Sequence, residues 1–365
     1  MTIIEKNNKE NIKIKTTQSE LIISNHTYNS YVTFSINNRR YLGNKYKLNN
    51  FIKNTINKEC GDFETFADLF AGTGVVASIF QDKHLIVNDI LYSNYVCYQT
   101  WFGTESFSKS KIIGLINKYN NISTLFNNYM VENYADTYFN KNNCKKIGFI
   151  REDIEENYKN NTINHRERCI LITSLLYAMD KIANTCGHYD AYRKDGELDK
   201  KLELSIPNIR SANPKNEIYN ADVNQLAKII STDIAYLDPP YNSRQYCDAY
   251  HLLENVACWK KTKVTGIAKK MDRTNLKSEY CKITATQAFE DLIKNIDAKY
   301  IVLSYNNMAK KGNDRSNAKL ADSDILRILK TRGNVKIFSQ DYKPFSTGKS
   351  KIEKNAERLF ICRCF

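Results

Sequence analysis

The sequence contains little proline, histidine and tryptophan, with five, five and two of these residues in 365. None of its apolar runs approaches the ~20 residues that a membrane-spanning helix needs, and the Lys- and Asn-rich N-terminus does not resemble a signal peptide. Its ten cysteines include no Cys-x-x-Cys pair, and the scattered histidines add no zinc-ligand spacing. These absences predict a cytoplasmic protein with free thiols, no membrane span and no bound metal.

Positive charge is in excess, because 54 Lys and Arg residues outnumber 40 Asp and Glu residues and give a formal net charge of +14. This excess favours a polyanionic partner. The alternative is that the lysines cover a solvated surface, and net charge alone does not separate DNA from RNA. The 42% hydrophobic content is enough for the core of one large α/β domain with a smaller inserted or appended one.

Two of the five prolines stand together in Asp238-Pro239-Pro240-Tyr241, directly after the apolar segment 233–237. Prolines cannot extend a central strand, so the chain is expected to turn at Asp238. The turn places a carboxylate, a rigid loop and an aromatic ring at the carboxyl end of a strand, where open α/β sheets bind ligands. Asp238 and the Pro239 carbonyl can accept hydrogen bonds from the exocyclic amine of a planar base, and Tyr241 can stack on that base. An ordinary strand-ending turn is the alternative.

A glycine turn, Gly72-Thr-Gly74, follows the strand-like segment 66–70 and precedes a predicted helix. Its glycines allow a sharp turn and close approach of a cofactor to the backbone. Asp89 stands at the end of the next predicted strand, His84 to Asn88, where a carboxylate suits the hydroxyls of a ribose. The alternative is that Asp68 and Asp89 only cap helices.

This turn is compatible with a dinucleotide or with S-adenosylmethionine. A dinucleotide site directs the N-terminus of a helix at a pyrophosphate, whereas Asp68, just before the turn, would repel phosphates and attract the ammonium group of a methionine. In the basic stretch upstream, Lys45 is a candidate partner for the methionine carboxylate, and Tyr41 is a candidate to pack on the cofactor. The sequence therefore favours S-adenosylmethionine.

Short strands alternate with helices over residues 63–101 and again from residue 227, where one helix is predicted over 246–259. This alternation predicts an α/β fold with a doubly wound, Rossmann-like sheet. We expect 335–340 and 358–364 to close the sheet as an antiparallel hairpin. Residues 102–215 interrupt the alternation and are interpreted as a mostly helical insertion.

The order of these motifs resembles the alpha-group DNA adenine-N6 methyltransferases, the Dam-like class. The resemblance is carried by Arg-Arg-Tyr-x-Gly-x-Lys-x-x-Leu (39–48), Asp-Leu-Phe-x-Gly-Thr-Gly (68–74), a long insertion and Asp-Pro-Pro-Tyr (238–241). It implies a methyltransferase domain with an inserted target-recognition domain. The expected division is an N-terminal extension (1–36), a catalytic domain (37–101 and 216–365) and the insertion (102–215).

The resemblance implies transfer of a methyl group from S-adenosylmethionine to N6 of a flipped adenine in double-stranded DNA, within a restriction-modification system that admits a cognate endonuclease as partner. It implies a catalytic loop of Asp238, Pro239, Pro240 and Tyr241. It implies cofactor binding by Tyr41, Lys45, Asp68, Gly72, Gly74, Asp89 and Asp222.

Three further stretches are candidates for DNA contact: the loop 187–193, residues 242–246 after the catalytic loop, and the basic stretch 260–273. The predicted DNA-binding residues are Tyr189, Tyr192, Arg193, Arg244 and Tyr246. Each stretch is equally compatible with an ordinary surface loop. Three other functions stay open at this point, namely N4-cytosine methylation, RNA adenine methylation and a catalytically silent DNA-binding role.

Overall fold

The computed structural model of the protein describes residues 35–36, 39–123, 125–211, 213–307, 318–341 and 356–365. The predicted N-terminal extension, apart from Ser35 and Ile36, therefore lies outside the described residues. The same is true of the Lys-rich stretch 343–354, which joins the two strands of the expected C-terminal hairpin.

Seven strands form one sheet in the described part of the chain. They are β1 (Thr65–Asp68), β2 (His84–Asn88), β3 (Glu217–Tyr219), β4 (Ser231–Leu237), β5 (Asp297–Asn306), β6 (Gly333–Asp341) and β7 (Ala356–Cys364). Their order across the sheet is β3-β2-β1-β4-β5-β7-β6. Strand β7 is antiparallel to both of its neighbours, and the other pairs are parallel. The predicted doubly wound α/β sheet with an antiparallel end is confirmed.

Both faces of the sheet are buried. Along β4, Ile234 and Tyr236 join one hydrophobic cluster while Ala235 and Leu237 join the other, because successive side chains of a strand point to opposite faces. Burial on both faces is typical of parallel strands and explains why this segment is almost continuously apolar. In the pairing of β1 with β4, Asp68 stands opposite Tyr236. The loops that leave β1 and β4 therefore meet at one edge of the sheet.

Helices cover both faces. The described residues form α1 (Asn49–Cys60), α2 (Val75–Ile79), α3 (Tyr92–Phe102), α4 (Lys109–Asn121), α5 (Tyr129–Tyr134), α6 (Lys141–Lys159), α7 (His165–Ile182), α8 (Val223–Leu226), α9 (Tyr246–Ala249), α10 (His251–Cys258), α11 (Ala285–Asn295) and α12 (Asp322–Lys330). Short 3-10 helices occur at Tyr46–Leu48, Thr274–Leu276 and Glu279–Cys281.

One predicted helix, over 246–259, is two helices in the structure. The chain leaves the helical conformation at Tyr250, between α9 and α10, where φ is −123° and ψ is 19°. The Tyr250 hydroxyl accepts a hydrogen bond from the backbone N–H of Leu42 at 2.8 Å, and its ring stacks on Tyr41 at 4.4 Å. These contacts with the N-terminal motif accompany the break in the helix. The hydrophobic pattern of 246–259 does not predict them.

About half of residues 102–215 is helical, with α4 to α7 followed by a long irregular stretch that begins at Ala183. Helix α7 starts with a reciprocal capping box between Asn164 and Glu167 and packs against α3 and α10. All described residues belong to one compact unit. The division of the chain into a catalytic domain and an inserted domain therefore stays a prediction.

Candidate active site

The turn after β1 forms the floor of the site. Gly72 and Gly74 have φ of 53° and 74°, in the left-handed region that favours glycine. A Cβ on Gly74 would lie 3.2 Å from the ring of Tyr98, and a Cβ on Gly72 would lie 3.2 Å from the ring of Tyr41. The Tyr98 hydroxyl also donates a hydrogen bond to the Gly72 carbonyl at 2.7 Å. Neither glycine position accommodates a side chain without strain.

A buried carboxylate, Asp68, and a half-buried one, Asp89, flank this turn. Asp68, the last residue of β1, is 1% exposed and accepts a hydrogen bond from the backbone N–H of Ala77 at 3.1 Å. Asp89 accepts hydrogen bonds from the backbone N–H groups of Gly72 at 3.0 Å and Leu91 at 2.8 Å. Burial raises the pKa of Asp68 well above its usual range and raises the pKa of Asp89 to about 6. Both side chains brace the backbone and also line the cleft above the turn.

The N-terminal motif packs over the same cleft. The Tyr41 hydroxyl accepts a hydrogen bond from the Asn94 side chain at 3.0 Å. Lys45 is 4% exposed, and its Nζ lies 2.7 Å from Oδ2 of Asp238 and donates a hydrogen bond to the Gly43 carbonyl at 3.1 Å. We expected Lys45 to pair with a cofactor carboxylate, whereas here its charged partner is the aspartate of the predicted catalytic loop.

The catalytic loop leaves the carboxyl end of β4 as predicted. Tyr241 donates from its hydroxyl toward two carboxylates, Oδ1 of Asp238 at 2.7 Å and Oε1 of Glu357 at 2.5 Å. The Tyr241 carbonyl accepts hydrogen bonds from the Lys319 backbone N–H at 2.7 Å and the Tyr305 hydroxyl at 3.2 Å. Burial raises the pKa of Asp238, and the neighbouring Lys45 opposes this rise. Hydrogen bonds to its side chains and to its backbone therefore fix the position of this loop.

An open cleft joins the glycine turn, the N-terminal motif and the predicted catalytic loop. Its lining includes the predicted residues Tyr41, Lys45, Asp68, Gly72, Asp89, Asp222, Asp238 and Pro240. The carboxylates on this lining are Asp68, Asp89, Asp222, Asp238 and Glu279, against one cationic side chain, Lys45. This excess of negative charge opposes a pyrophosphate and suits a ligand with cationic groups.

Asp222 begins helix α8. Its side chain accepts hydrogen bonds from the backbone N–H groups of Asn224 and Gln225 at 3.0 and 3.2 Å, which is the role of an N-cap. The predicted contact between Asp222 and the adenine of a cofactor stays a prediction, and its place on the cleft lining is compatible with it.

One predicted DNA-binding residue must be corrected. Tyr189 is 2% exposed, its hydroxyl donates to Asp180 at 2.7 Å, and its ring packs against Tyr138. A side chain buried in this way does not reach a DNA groove, so the predicted base contact of Tyr189 is wrong. In the same loop, the ring of Tyr192 packs edge-on against Tyr138, whereas the side chain of Arg193 is exposed.

The other two predicted DNA-binding residues follow the catalytic loop. Arg244 donates to Asp190 at 2.7 Å, and Lys270 also pairs with Asp190 at 3.0 Å. Asp190 therefore ties the 187–193 loop to residues that follow the catalytic loop. Tyr246 lines the cleft and donates to the Leu42 carbonyl at 3.2 Å. The predicted DNA contacts of Tyr192, Arg193, Arg244 and Tyr246 remain predictions.

Sequence reasoning missed two parts of the site. Glu357, on β7, carries the second carboxylate at the Tyr241 hydroxyl. Ser278, Glu279 and Tyr280 reach the cleft from the other side. These residues lie in no recognisable motif, and residue type alone did not mark them.

Among the described residues, no group of three or more histidine, cysteine, aspartate or glutamate side chains is arranged to hold a metal ion. All ten cysteines are free thiols. No helix in the described part of the chain is both long and apolar enough to span a membrane.

The sheet order, the glycine turn and the Asp-Pro-Pro-Tyr loop together define a Rossmann-like methyltransferase fold. Comparison with known families then identifies the class of methyltransferase. Residues 41–315 match the model of the D12 class N6 adenine-specific DNA methyltransferases, and the chain belongs to this family. The resemblance noted in the sequence is thus confirmed.

Similar proteins are modification enzymes by name. The chain is 36% identical over 338 residues to "Modification methylase StsI" of Streptococcus sanguinis, covering 87% of this chain and 50% of that protein. It is 32% identical over 325 residues to "Type II methyltransferase M.NlaIII" of Neisseria lactamica, covering 85% of this chain and 93% of that protein. It therefore spans about half the length of StsI and almost the whole length of M.NlaIII.

Proposed function

We propose that this protein transfers a methyl group from S-adenosylmethionine to N6 of adenine in double-stranded DNA. The observation that carries the proposal is the position of Asp238, whose carboxylate lines the same cleft as Asp68 and Asp89. Asp238, the proposed acceptor for an exocyclic amine, thus lies in the same cleft as Asp68 and Asp89, the proposed partners of a cationic cofactor. Membership of the D12 class and the names of the similar methylases support the choice of adenine and of DNA.

The residues of the cleft fit S-adenosylmethionine. Asp68 supplies a buried carboxyl group whose charged form an ammonium group would stabilise, Asp89 supplies acceptors for ribose hydroxyls, and Gly72 leaves the backbone accessible. When bound, this cofactor supplies an electrophilic methyl group on a sulfonium. The excess of carboxylates over cationic side chains on the lining favours such a positively charged donor over a dinucleotide.

Asp238 and the Pro239 carbonyl act on the adenine amine. Its lone pair is delocalised into the ring, which makes the amine a poor nucleophile. Two hydrogen bonds from the amine to these acceptors favour a tetrahedral nitrogen and offset the positive charge that develops as it attacks. Each oxygen of Asp238 already accepts one contact, from Tyr241 or Lys45, and each keeps a second lone pair for the amine.

The adenine must leave the duplex to reach this cleft. Flipping a base costs a few kcal/mol, and we propose that stacking on Tyr241 offsets part of this cost. In this proposal the side chains of Arg193, Arg244 and Lys270 contact phosphates or bases. A cognate restriction endonuclease is the proposed partner, since two similar proteins are named type II or modification methylases.

Expression in a methylation-free host tests the proposal. We expect sequencing of the host DNA to reveal N6-methyladenine at one recurring site, and Asp238→Ala to abolish it. Because the lost contacts act mainly on the amine in the transition state, calorimetry should show S-adenosylmethionine binding to Asp238→Ala within about tenfold of the wild type. N4-methylcytosine in the DNA, methylation of RNA alone, or normal turnover by Asp238→Ala would each contradict the proposal.

A further inference from the structure

Glu357 is a second acidic residue beneath the catalytic loop. It belongs to β7, and its side chain is buried, with the residue 3% exposed. Its Oε1 accepts hydrogen bonds from the Tyr241 hydroxyl at 2.5 Å and the Ser304 hydroxyl at 2.7 Å. The same oxygen lies 3.8 Å from Nζ of Lys45. Burial of a carboxylate costs free energy unless hydrogen-bond donors or cations compensate for the lost solvation. The position of Glu357 next to the predicted catalytic loop therefore points to a role beyond packing.

These contacts close a ring of four side chains. Tyr241 lies between Asp238 and Glu357, with its hydroxyl 2.7 Å from one carboxylate and 2.5 Å from the other. Lys45 lies between the same two carboxylates at 2.7 and 3.8 Å, and its ammonium group is 5.0 Å from the centre of the Tyr241 ring. Asp238 therefore shares both its hydrogen-bond donor and its cation with Glu357.

We propose that Glu357 is a positioning residue for methyl transfer. It orients Tyr241 and weakens the ion pair between Lys45 and Asp238. The inference rests on the proposed function. Two carboxylates share one ammonium group and one hydroxyl, so neither partner fully neutralises Asp238. Asp238 thereby keeps acceptor strength for the amine of the substrate, while the loop that carries it stays fixed to the sheet.

The electrostatics of the cluster agree with this role. Burial, and then the charge of Glu357, raise the pKa of Asp238, whereas Lys45 and the Tyr241 hydrogen bond lower it. The titratable groups that face Asp238 or Glu357 from the surrounding elements are Lys45, Asp68, Tyr236, Tyr241 and Tyr246. Removing the charge of Glu357 should therefore lower the pKa of Asp238. The acidic limb of the pH–rate profile of methyl transfer should then move to lower pH.

The test is single-turnover methyl transfer by Glu357→Gln, measured from pH 5 to 9 on DNA that the wild type methylates. We expect the plateau rate to fall about tenfold, because Lys45 then pairs with Asp238 alone. We also expect the acidic limb to move to lower pH by about one unit, because a nearby negative charge is lost. The KM for S-adenosylmethionine should change less than about threefold.

Two further variants make the outcome decisive. Glu167→Gln removes another buried carboxylate, which is 2% exposed. Glu167 caps α7 and does not line the cleft. The acidic limb of the pH–rate profile of this variant should therefore coincide with that of the wild type. Ser304→Ala keeps every charge and removes one donor to Glu357, and it should lower the plateau rate about threefold without moving the acidic limb. It also serves as the test if Glu357→Gln does not fold.

An acidic limb of Glu357→Gln at the position of the wild type, or a plateau rate of Ser304→Ala equal to that of the wild type, would overturn the inference. An inactive wild type would instead contradict the proposed function. The two failures are therefore distinguishable.

Discussion

At the scale of single residues, the cleft combines groups that hold the backbone with groups that face a ligand. Asp89 shows both roles, since it accepts hydrogen bonds from the backbone N–H groups of Gly72 and Leu91 and also lines the cleft. A carboxylate already fixed by two donors needs no reorientation when a ribose binds. Its preorganisation comes at the cost of desolvation, which raises its pKa to about 6.

This pKa makes cofactor binding sensitive to pH. Below about pH 6 Asp89 gains a proton and becomes a weaker acceptor, so affinity for S-adenosylmethionine should decrease as the pH falls. We expect isothermal titration to show a decrease of about fourfold between pH 7.5 and 5.5. Asp89→Asn should bind more weakly at pH 7.5 and vary less over this range. An affinity of the wild-type protein that is constant across the range would exclude Asp89 from the cofactor site.

At the scale of secondary-structure elements, the turn between β1 and α2 depends on glycine for two reasons. Gly74 has a positive φ, and a Cβ there would also lie 3.2 Å from the Tyr98 ring. Gly61, after α1, combines a φ of 66° with a ψ of −148°, a conformation close to the region that only glycine adopts, and it has nothing within 4 Å of its Cβ position. Gly61 is therefore a strained glycine without crowding that does not line the cleft.

Alanine at each position should therefore act differently. We expect Gly61→Ala to lower the free energy of unfolding by about 2 kcal/mol through backbone strain alone and to leave S-adenosylmethionine binding unchanged. Gly74→Ala should lower the free energy of unfolding by about 2 kcal/mol, because the backbone is strained and the Tyr98 ring must also move, and it should weaken S-adenosylmethionine binding. Urea denaturation and calorimetry measure both effects. An unchanged cofactor affinity of Gly74→Ala would show that the turn has no special role in the site.

At the scale of the whole molecule, the layer formed by 102–215 is continuous with the catalytic core. Helix α7 packs against α3 and α10, and Asp190 pairs with Arg244 just after the catalytic loop. Target recognition by this layer would thus be mechanically linked to the loop that carries Asp238. Since phosphate contacts position a protein while base contacts specify the sequence, the exposed part of the layer is where specificity is expected.

Exchange of 102–215 with the corresponding segment of a relative that methylates a different DNA site tests this expectation. We expect an active chimera to methylate the target of the segment donor, because the chemical groups lie on either side of the exchanged segment. Its affinity for S-adenosylmethionine should match that of the parent, which serves as the control for folding. A chimera that is active on the original target would move recognition to another surface, such as the basic stretch 260–273.

The sequence by itself determined the class of the sheet, the glycine turn after β1, the turn at Asp238 and the order of the motifs. These features are local, because an apolar run, a glycine pair or a double proline constrains the backbone over a few residues. The strand His84–Asn88 was predicted with the bounds that the structure has, and the catalytic loop follows β4 as its prolines require.

Tertiary structure alone decided how distant groups meet. The pairing of Lys45 with Asp238, the position of Glu357 against Tyr241, the break at Tyr250 and the burial of Tyr189 all depend on residues far apart in the chain. Hydrophobic periodicity reports which face of an element is buried but not which side chain it faces across the core. The charge balance around Asp238 is therefore a property of the folded protein, set by the packing of the N-terminal motif and β7 against the catalytic loop.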